Sequence, residues 1–282
     1  MSTISVPNEP KEVFDIRTRI LSEFDGLTFI EGTHQYFLNG VEMPSVSSVA
    51  HQFEPPFDTE AIAEKYALTH GETKEYWIDE WRYKSLVATT SGTLVHAYGE
   101  SLGWLRNGHP ELITEDNKCK YIADKGWLIP TRKKEEAVLK FYNELDENLH
   151  FVLAETKVYT GKHPEKTNLL QDYCGTFDLL MYYKDPGGNE DKSGLVIFDY
   201  KTNAELYKEF SRSRGLMMFE PFENMYSEPF SVYTLQLNLY QIPLEDMGLK
   251  ILGRRIIWLK DDGNYELIKL PYVADKLREA LS

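Results

Sequence analysis

The stretch GLVIFDYKTNAELY, residues 194–207, decides how this chain is read, and at its centre stands IFDYKT, residues 197–202. Val196, Ile197, Phe198 and Tyr200 are β-branched or aromatic, which predicts a strand that is buried on both faces. Side chains alternate along a strand, so Leu195, Ile197, Asp199 and Lys201 share one face. Two opposite charges on the buried face of a central strand are costly unless they pair with each other or a metal takes the carboxylate.

The totals bound the setting. A chain of 282 residues, 42% apolar and 13% aromatic, has enough material for a substantial core and is not globally disordered. Its two cysteines, Cys119 and Cys174, are too few for a disulfide scaffold or a four-cysteine iron–sulfur site, and suggest a reducing interior. No apolar signal core and no run of membrane-spanning length are visible, so a soluble, cytoplasmic protein with no membrane partner is expected. The balance of 31 basic against 45 acidic residues, a net charge of −14, argues against broad attraction to nucleic acid but leaves room for a local basic groove.

Outward from the central strand, residues 1–26 read as a polar arm. Alternation around Asn39-Gly40 predicts a hairpin. Helical spacing fits 58–70 and 72–87, and another helix is expected to start at the capping residues Thr90 and Ser91 and run through GTLVHAYGESLGWLRNG. A helix over 132–148 precedes strands at 151–160, 172–183 and 194–201. An irregular stretch, 203–230, leads to a helix at 231–246, strands near 254–260 and 264–270, and a closing helix at 273–281. This order predicts an α/β fold with a central mixed β-sheet flanked by helices. The region before residue 90 reads as an N-terminal arm, hairpin and helical lobe (1–90) added to a core at 91–282.

Four groups of residues are candidates for chemistry. Asp178 in YCGTFDLLMYY shares a face with Thr176 and Leu180, and if its strand neighbours the central one it can lie beside Asp199. Two carboxylates so placed repel and raise each other's proton affinity, a problem that a divalent cation removes. A buried Asp–Lys pair linking strands is the plain alternative. His96 lies away from the expected apolar stripe Leu94, Tyr98, Leu102 and Leu105, among Gly92, Gly99 and Gly103. Three helical glycines cost about 1 kcal/mol each relative to alanine, which makes sense where something approaches closely. The alternative is an exposed histidine on a loosely packed helix. Glu155, on the strand before that of Asp178, can face the same centre or be an ordinary strand glutamate. Gln236 and Tyr240 lie one helical turn apart, as a substrate contact or as a buried hydrogen-bonded pair.

Taken together, G-T-x-x-H, E, G-T-F-D, D-Y-K-T and Q-x-x-x-Y resemble, in order and spacing, the PD-(D/E)XK nuclease superfamily and its RecB-like, phage-type exonuclease branch over about residues 34–260. The resemblance implies a restriction-endonuclease-like core. It implies metal binding by His96, Asp178, Asp199 and the carbonyl of Tyr200, with Lys201 as the catalytic lysine. Glu155 corresponds to a glutamate usual in this branch, and Gln236 and Tyr240 to a helix bordering the substrate. Relatives that carry an iron–sulfur cluster have four cysteines, which this chain lacks.

The expected function is therefore Mg²⁺-dependent phosphodiester hydrolysis, with Mn²⁺ as a substitute, by a deoxyribonuclease acting on the ends of linear DNA, single- or double-stranded. The setting would be recombination or repair in a bacterium or a phage-infected host cell. Lys157, Lys162, Lys166, Arg212, Arg214, Arg254 and Arg255 are candidate backbone contacts, Arg212 and Arg214 foremost. The acidic remainder favours a homo-oligomer or a single-strand annealing partner that delivers the DNA. The rivals are a non-catalytic DNA-binding or recombination accessory protein that keeps the fold, and an enzyme of another class in which the Asp–Lys pair is structural.

Overall fold

The computed structural model describes residues 9–30, 32–33, 35–110, 131–162, 169 and 171–282. Its centre is a five-stranded sheet, ordered in sequence, of β4 (Leu149–Tyr159), β5 (Cys174–Tyr183), β6 (Gly194–Lys201), β7 (Ile251–Leu259) and β8 (Tyr265–Leu270). All neighbours are antiparallel except β6 and β7, so the sheet is mixed. The parallel pair requires a crossover, and the chain makes it through α6 (Glu209–Ser213) and α7 (Pro229–Asp246). β6 is buried along almost its whole length, which explains its run of apolar residues without alternation.

A second, three-stranded antiparallel sheet comprises β1 (Leu27–Ile30), β2 (Gln35–Leu38) and β3 (Val41–Met43). Asn39 and Gly40 join β2 to β3 with φ of 51° and 83°, the left-handed pair that a two-residue hairpin turn demands. The remaining helices are α1 (Lys11–Glu23), α2 (Val46–His51), α3 (Thr59–His70), α4 (Lys74–Arg106), α5 (Arg132–Asn143) and α8 (Ala274–Ala280). No helix among the described residues is long and apolar enough to cross a membrane.

Four expectations need correction. Residues 11–23 are not a loose arm: they form α1, whose Val13 and Ile20 are fully buried in the same core cluster as the main sheet. α2 contributes Val46, Val49 and Ala50 to that cluster too, so only α3 and the first half of α4 stand apart as a lobe. No helix begins at Thr90 or Ser91. α4 runs through both positions for 33 residues, and the expected boundary at residue 90 falls in its middle. Nearby, the Thr93 hydroxyl donates back to the Thr89 carbonyl at 3.1 Å, so a hydroxyl residue here sits within the helix rather than capping one. At the other end of the lobe, α5 stops at Asn143 rather than 148, because Asp146 turns the chain by accepting from the Asn148 amide at 2.9 Å.

The fourth correction concerns which face of α4 packs. The expected stripe has Leu105 exposed and Leu94, Tyr98 and Leu102 only half-buried, whereas Val95, Gly99, Gly103 and Trp104 are buried. The glycines are the contact face. A Cβ at Gly99 would stand 2.8 Å from ring carbons of Tyr200, and one at Gly103 would stand 2.7 Å from the Phe151 ring. Helix backbone therefore lies directly on two rings of the sheet.

That close approach sets a test. Gly99→Ala is expected to lower stability by ~1–2 kcal/mol, because overpacking against a sealed tyrosine outweighs alanine's better helix propensity. Gly92→Ala, whose Cβ would meet only Thr202 Oγ1 at an ordinary 3.6 Å, should be neutral or stabilising. Chemical denaturation of both variants reads the contrast, and equal effects would contradict the packing argument.

Candidate metal centre and active-site cleft

The site sits where the β5–β6 ladder ends, beside the middle of β4. The register pairs Ala154 with Leu179 and Leu179 with Phe198, so one step on, Glu155 faces Asp178 and Asp178 faces Asp199. Three carboxylates thus form a row across three neighbouring strands. The last ladder pair of β5 and β6 is Leu179–Phe198, and beyond it the Asp178 carboxylate accepts the Tyr200 N–H at 2.7 Å through Oδ2. Glu155 has φ of +45°, a left-handed conformation that costs a non-glycine residue about 1 kcal/mol or more. Strain of this kind inside a strand is retained where the surroundings dictate it.

α4 lays His96 over the row. Its Nδ1 is 3.2 Å from Asp178 Oδ2 and 3.9 Å from Glu155 Oε1. Among the described residues, His96, Glu155 and Asp178 form a group whose ligand atoms all lie within 4.8 Å of one another. Asp199 is in register beside them, but its Oδ2 is in contact with Lys201 Nζ. That oxygen is sealed from solvent and accepts no hydrogen bond of good geometry. Lys201 Nζ also lies 4.4 Å above the centre of the Tyr233 ring.

The electrostatics follow from burial and crowding. Burial, reinforced by the Asp178 charge, pushes Glu155 up to about 8. Burial and Asp178 also push Asp199 up to about 6, against the pull of Lys201. Burial works to raise Asp178 too, but His96, Lys201 and the Tyr200 N–H together hold it below the usual carboxylate range. Burial disfavours the imidazolium of His96, yet Asp178 and Glu155 outweigh that and raise it to about 9. Lys201 is likewise held above its ordinary value by Asp199 and Asp178 despite burial. Without a metal, protons on His96 and Glu155 supply the positive charge that the row of carboxylates needs.

This donor set fits a hard divalent cation: carboxylate oxygens and one imidazole converge, and one buried carboxylate oxygen lacks a proper hydrogen bond. The grouping differs from the set implied by resemblance. Glu155 belongs to the geometric cluster, while Asp199 is turned to Lys201. Tyr200, expected to offer its carbonyl, has a second task. Its sealed side chain donates to Tyr142 Oη at 3.0 Å, and Tyr142 donates to the Gly99 carbonyl at 3.0 Å, so the two strands of contact lock α4 and α5 to β6.

A cleft of about 480 Å³ opens beside the cluster. α4 lines it with Tyr83, Lys84, Val87 and Ser91, and His96, Tyr200, Lys201, Thr202 and Tyr233 lie across from them or at its base. Lys134 of α5 also reaches it, held by the Leu259 carbonyl at 3.1 Å and Asp261 at 2.9 Å. Tyr233 and Lys134 were not among the candidate residues. Tyr233 could have been found, since it sits three and seven residues before Gln236 and Tyr240 on one helical face. Lys134 carries no sequence signal, because the contact depends on where α5 docks.

The other candidates scatter. Tyr240 is buried against Phe177 and against Gly175, where a Cβ would stand 2.8 Å from its ring, so it packs beneath the site. Gln236 is also buried and donates to Ser47 Oγ at 3.2 Å, tying α7 to α2. Arg212 forms a two-pronged pair with buried Glu228, at 3.0 and 2.8 Å, and Arg214 lies exposed over Phe210. Arg254 is not available to a backbone phosphate at all: it is buried and bonds Gln241 and the Leu270 carbonyl. Lys162 is held by the Glu23 carbonyl and Asp25, while Lys157 and Arg255 are half-buried on their strands. Lys166 and Cys119 lie outside the described residues. Cys174 is a buried free thiol pushed up to about 12 by desolvation.

The raised groups set a pH test. A group whose folded pKa is raised stabilises the fold below its unfolded value and loses that contribution as pH climbs through the folded one. Glu155 spans 4.5 to about 8 and His96 spans 6.5 to about 9, so both act in the same direction. Metal-free protein should therefore lose melting temperature steadily from pH 6 to pH 9. Mn²⁺, which replaces those protons, should raise the melting temperature more at pH 9 than at pH 6. Thermal denaturation in EDTA and in Mn²⁺ checks both signs, and an ion effect independent of pH would contradict the assignment.

No known protein-family model matches this sequence, and no curated protein matches it.

Proposed function

We propose that the chain is a Mg²⁺-dependent deoxyribonuclease of the PD-(D/E)XK type, with a restriction-endonuclease-like core of the RecB-like branch. The carrying observation is the row Glu155–Asp178–Asp199 across three adjacent strands, with His96 against it and Lys201 at the base of a cleft. A row of this kind is a poor structural device, since its carboxylates destabilise one another, and a good cation site.

In this reading His96, Asp178 and Glu155 hold the ion, with Asp199 beside them and the Tyr200 backbone tied to Asp178. When bound, Mg²⁺ or Mn²⁺ would polarise the phosphodiester and lower the pKa of a water. Lys201, whose proton is held tightly by Asp199 and Asp178, stays an ammonium at neutral pH. It is therefore a charge stabiliser for the phosphate and not a general base. Asp199 and the Tyr233 ring fix its position. Lys84 and Lys134 stand on the cleft walls, each beside an acidic partner, Glu80 and Asp261, that a strand's phosphates would compete with, and Tyr83 and Tyr233 would be flat surfaces for bases.

The chain as a whole carries −14, so DNA would be taken up locally at this mouth rather than coated broadly. That balance supports activity on DNA ends, with delivery by further copies of the chain or by a single-strand annealing partner in the cytoplasm of a bacterium or phage-infected cell.

The test is incubation of linear and circular DNA with purified protein in Mg²⁺ or EDTA. Linear DNA should be degraded in Mg²⁺ and left intact in EDTA; full activity in EDTA would remove the metal from the mechanism, and binding without cleavage would identify an accessory protein. Asp178→Asn and Lys201→Ala should each reduce cleavage on the order of 10²-fold or more. They should differ in calorimetric Mn²⁺ titration. Asp178→Asn loses a ligand and weakens binding, whereas Lys201→Ala frees Asp199 and leaves affinity equal or higher. Equal losses in the two variants would make Lys201 a structural residue.

A further inference from the structure

Arg17 is among the largest fully sealed side chains of the protein, only 1% exposed, although it lies on a helix that the sequence pattern marks as a polar arm. A buried guanidinium needs a reason and a full set of partners. Its partners are specific. Nε donates to the Val152 carbonyl at 2.7 Å and Nη2 to the Phe151 carbonyl at 3.3 Å, while Glu9 accepts from Nη1 and Nη2 at 3.0 and 2.7 Å.

Those carbonyls belong to an irregular point of β4. Phe151 pairs with Met181 and Leu153 with Leu180, so the ladder skips Val152. A skipped residue leaves its carbonyl without a ladder partner and bends the strand. Arg17 supplies the missing donor. Three residues further along stands Glu155, left-handed at φ of +45°, with its carboxylate toward His96. The same segment also seats α4, since the Phe151 ring fills the space over Gly103, two helical turns beyond His96, and packs edge-on against Trp104.

We propose that Arg17, braced by Glu9, is a positioning residue for the metal cluster: it holds the irregularity at Val152 that brings Glu155 and the His96 helix into register with Asp178. The proposal rests on the metal-site reading above for its consequence, but not for its geometry. An uncharged residue at 17 would leave the Val152 carbonyl buried and unpaired, and β4 would relieve this by slipping into the regular ladder. Such a slip moves every following side chain to the opposite face and takes Glu155 away from the cluster.

The experiment compares Arg17→Met, which keeps the apolar stem and removes the donors, with Ile20→Ala on the same helix, which opens a cavity at a fully buried position without touching β4 carbonyls. Both should lower the melting temperature. Only Arg17→Met should weaken Mn²⁺ binding, by about 10- to 100-fold as for loss of a residue that orients a ligand, and lower kcat with little change in KM for DNA. Glu9→Gln, which leaves the guanidinium in place but loosens its brace, should fall between and serves if Arg17→Met does not fold. Unchanged Mn²⁺ affinity in Arg17→Met or, where that does not fold, in Glu9→Gln would overturn the proposal, as would an equal loss in Ile20→Ala. The backbone amide resonance of Glu155, recorded in EDTA, gives a readout independent of metal and DNA. It should shift in Arg17→Met, or in Glu9→Gln, and not in Ile20→Ala. A wild type that binds no divalent ion would therefore end the nuclease reading, and this resonance alone would still decide the role of Arg17.

Discussion

Crowding of negative charge across three buried strands is the constraint on which the rest of this molecule turns. Glu155, Asp178 and Asp199 occupy facing positions on β4, β5 and β6, two of them nearly sealed from water. Coulomb repulsion over such distances in a poorly polarisable surrounding is worth several kcal/mol, so the row exists only because something answers it. Three answers are built in: the imidazolium of His96 against Asp178, the ammonium of Lys201 against Asp199, and a proton on Glu155. Each is a charge that a divalent cation could replace or work beside.

Holding those answers in place determines the packing around them. His96 reaches Asp178 because α4 carries glycine where it crosses the sheet, and Tyr200 and Phe151 fill the space. The Tyr200 hydroxyl, through Tyr142, ends on the Gly99 carbonyl of the same helix. Residue 200 thus contributes at both ends, its N–H to the Asp178 carboxylate and its ring to the helix that carries the histidine. The glycines that weaken α4 as an isolated helix are what let it serve as a wall of the site.

The arginines carry a related lesson. Arg17, Arg212 and Arg254, three cations that composition alone would assign to the surface, are committed to internal partners: strand carbonyls and Glu9, Glu228, and Gln241 with the Leu270 carbonyl. The lysines around the cleft, Lys84, Lys134 and Lys201, also have acidic partners, Glu80, Asp261 and Asp199, but line an open space. A planar guanidinium with several fixed donors suits buried carbonyls and carboxylates, whereas a lysine can meet a mobile phosphate from a flexible stem.

What the sequence by itself determined is local: the β6 strand from its unbroken apolar run, the Asn39-Gly40 hairpin from its turn chemistry, the sharing of one face by Asp199 and Lys201 from strand alternation, and the meaning of glycines around His96 from their cost. It also placed β4, β5, β6, α7, β7 and β8 to within a few residues, because period and turn residues mark such elements directly. Tertiary structure decided the remainder. Continuity of α4 through Thr90 and Ser91 goes with its docking on the sheet at Gly99 and Gly103, which the identity of the two hydroxyl residues does not announce. The burial of Gln236 and Tyr240 reflects α2 and β5 packing on α7, and Arg17 shows its purpose only once β4 is seen to skip Val152. Alternation and helical period assign a residue to a face, but only the docking of distant segments fixes which faces meet, and the cluster of His96, Glu155 and Asp178 is made by that meeting.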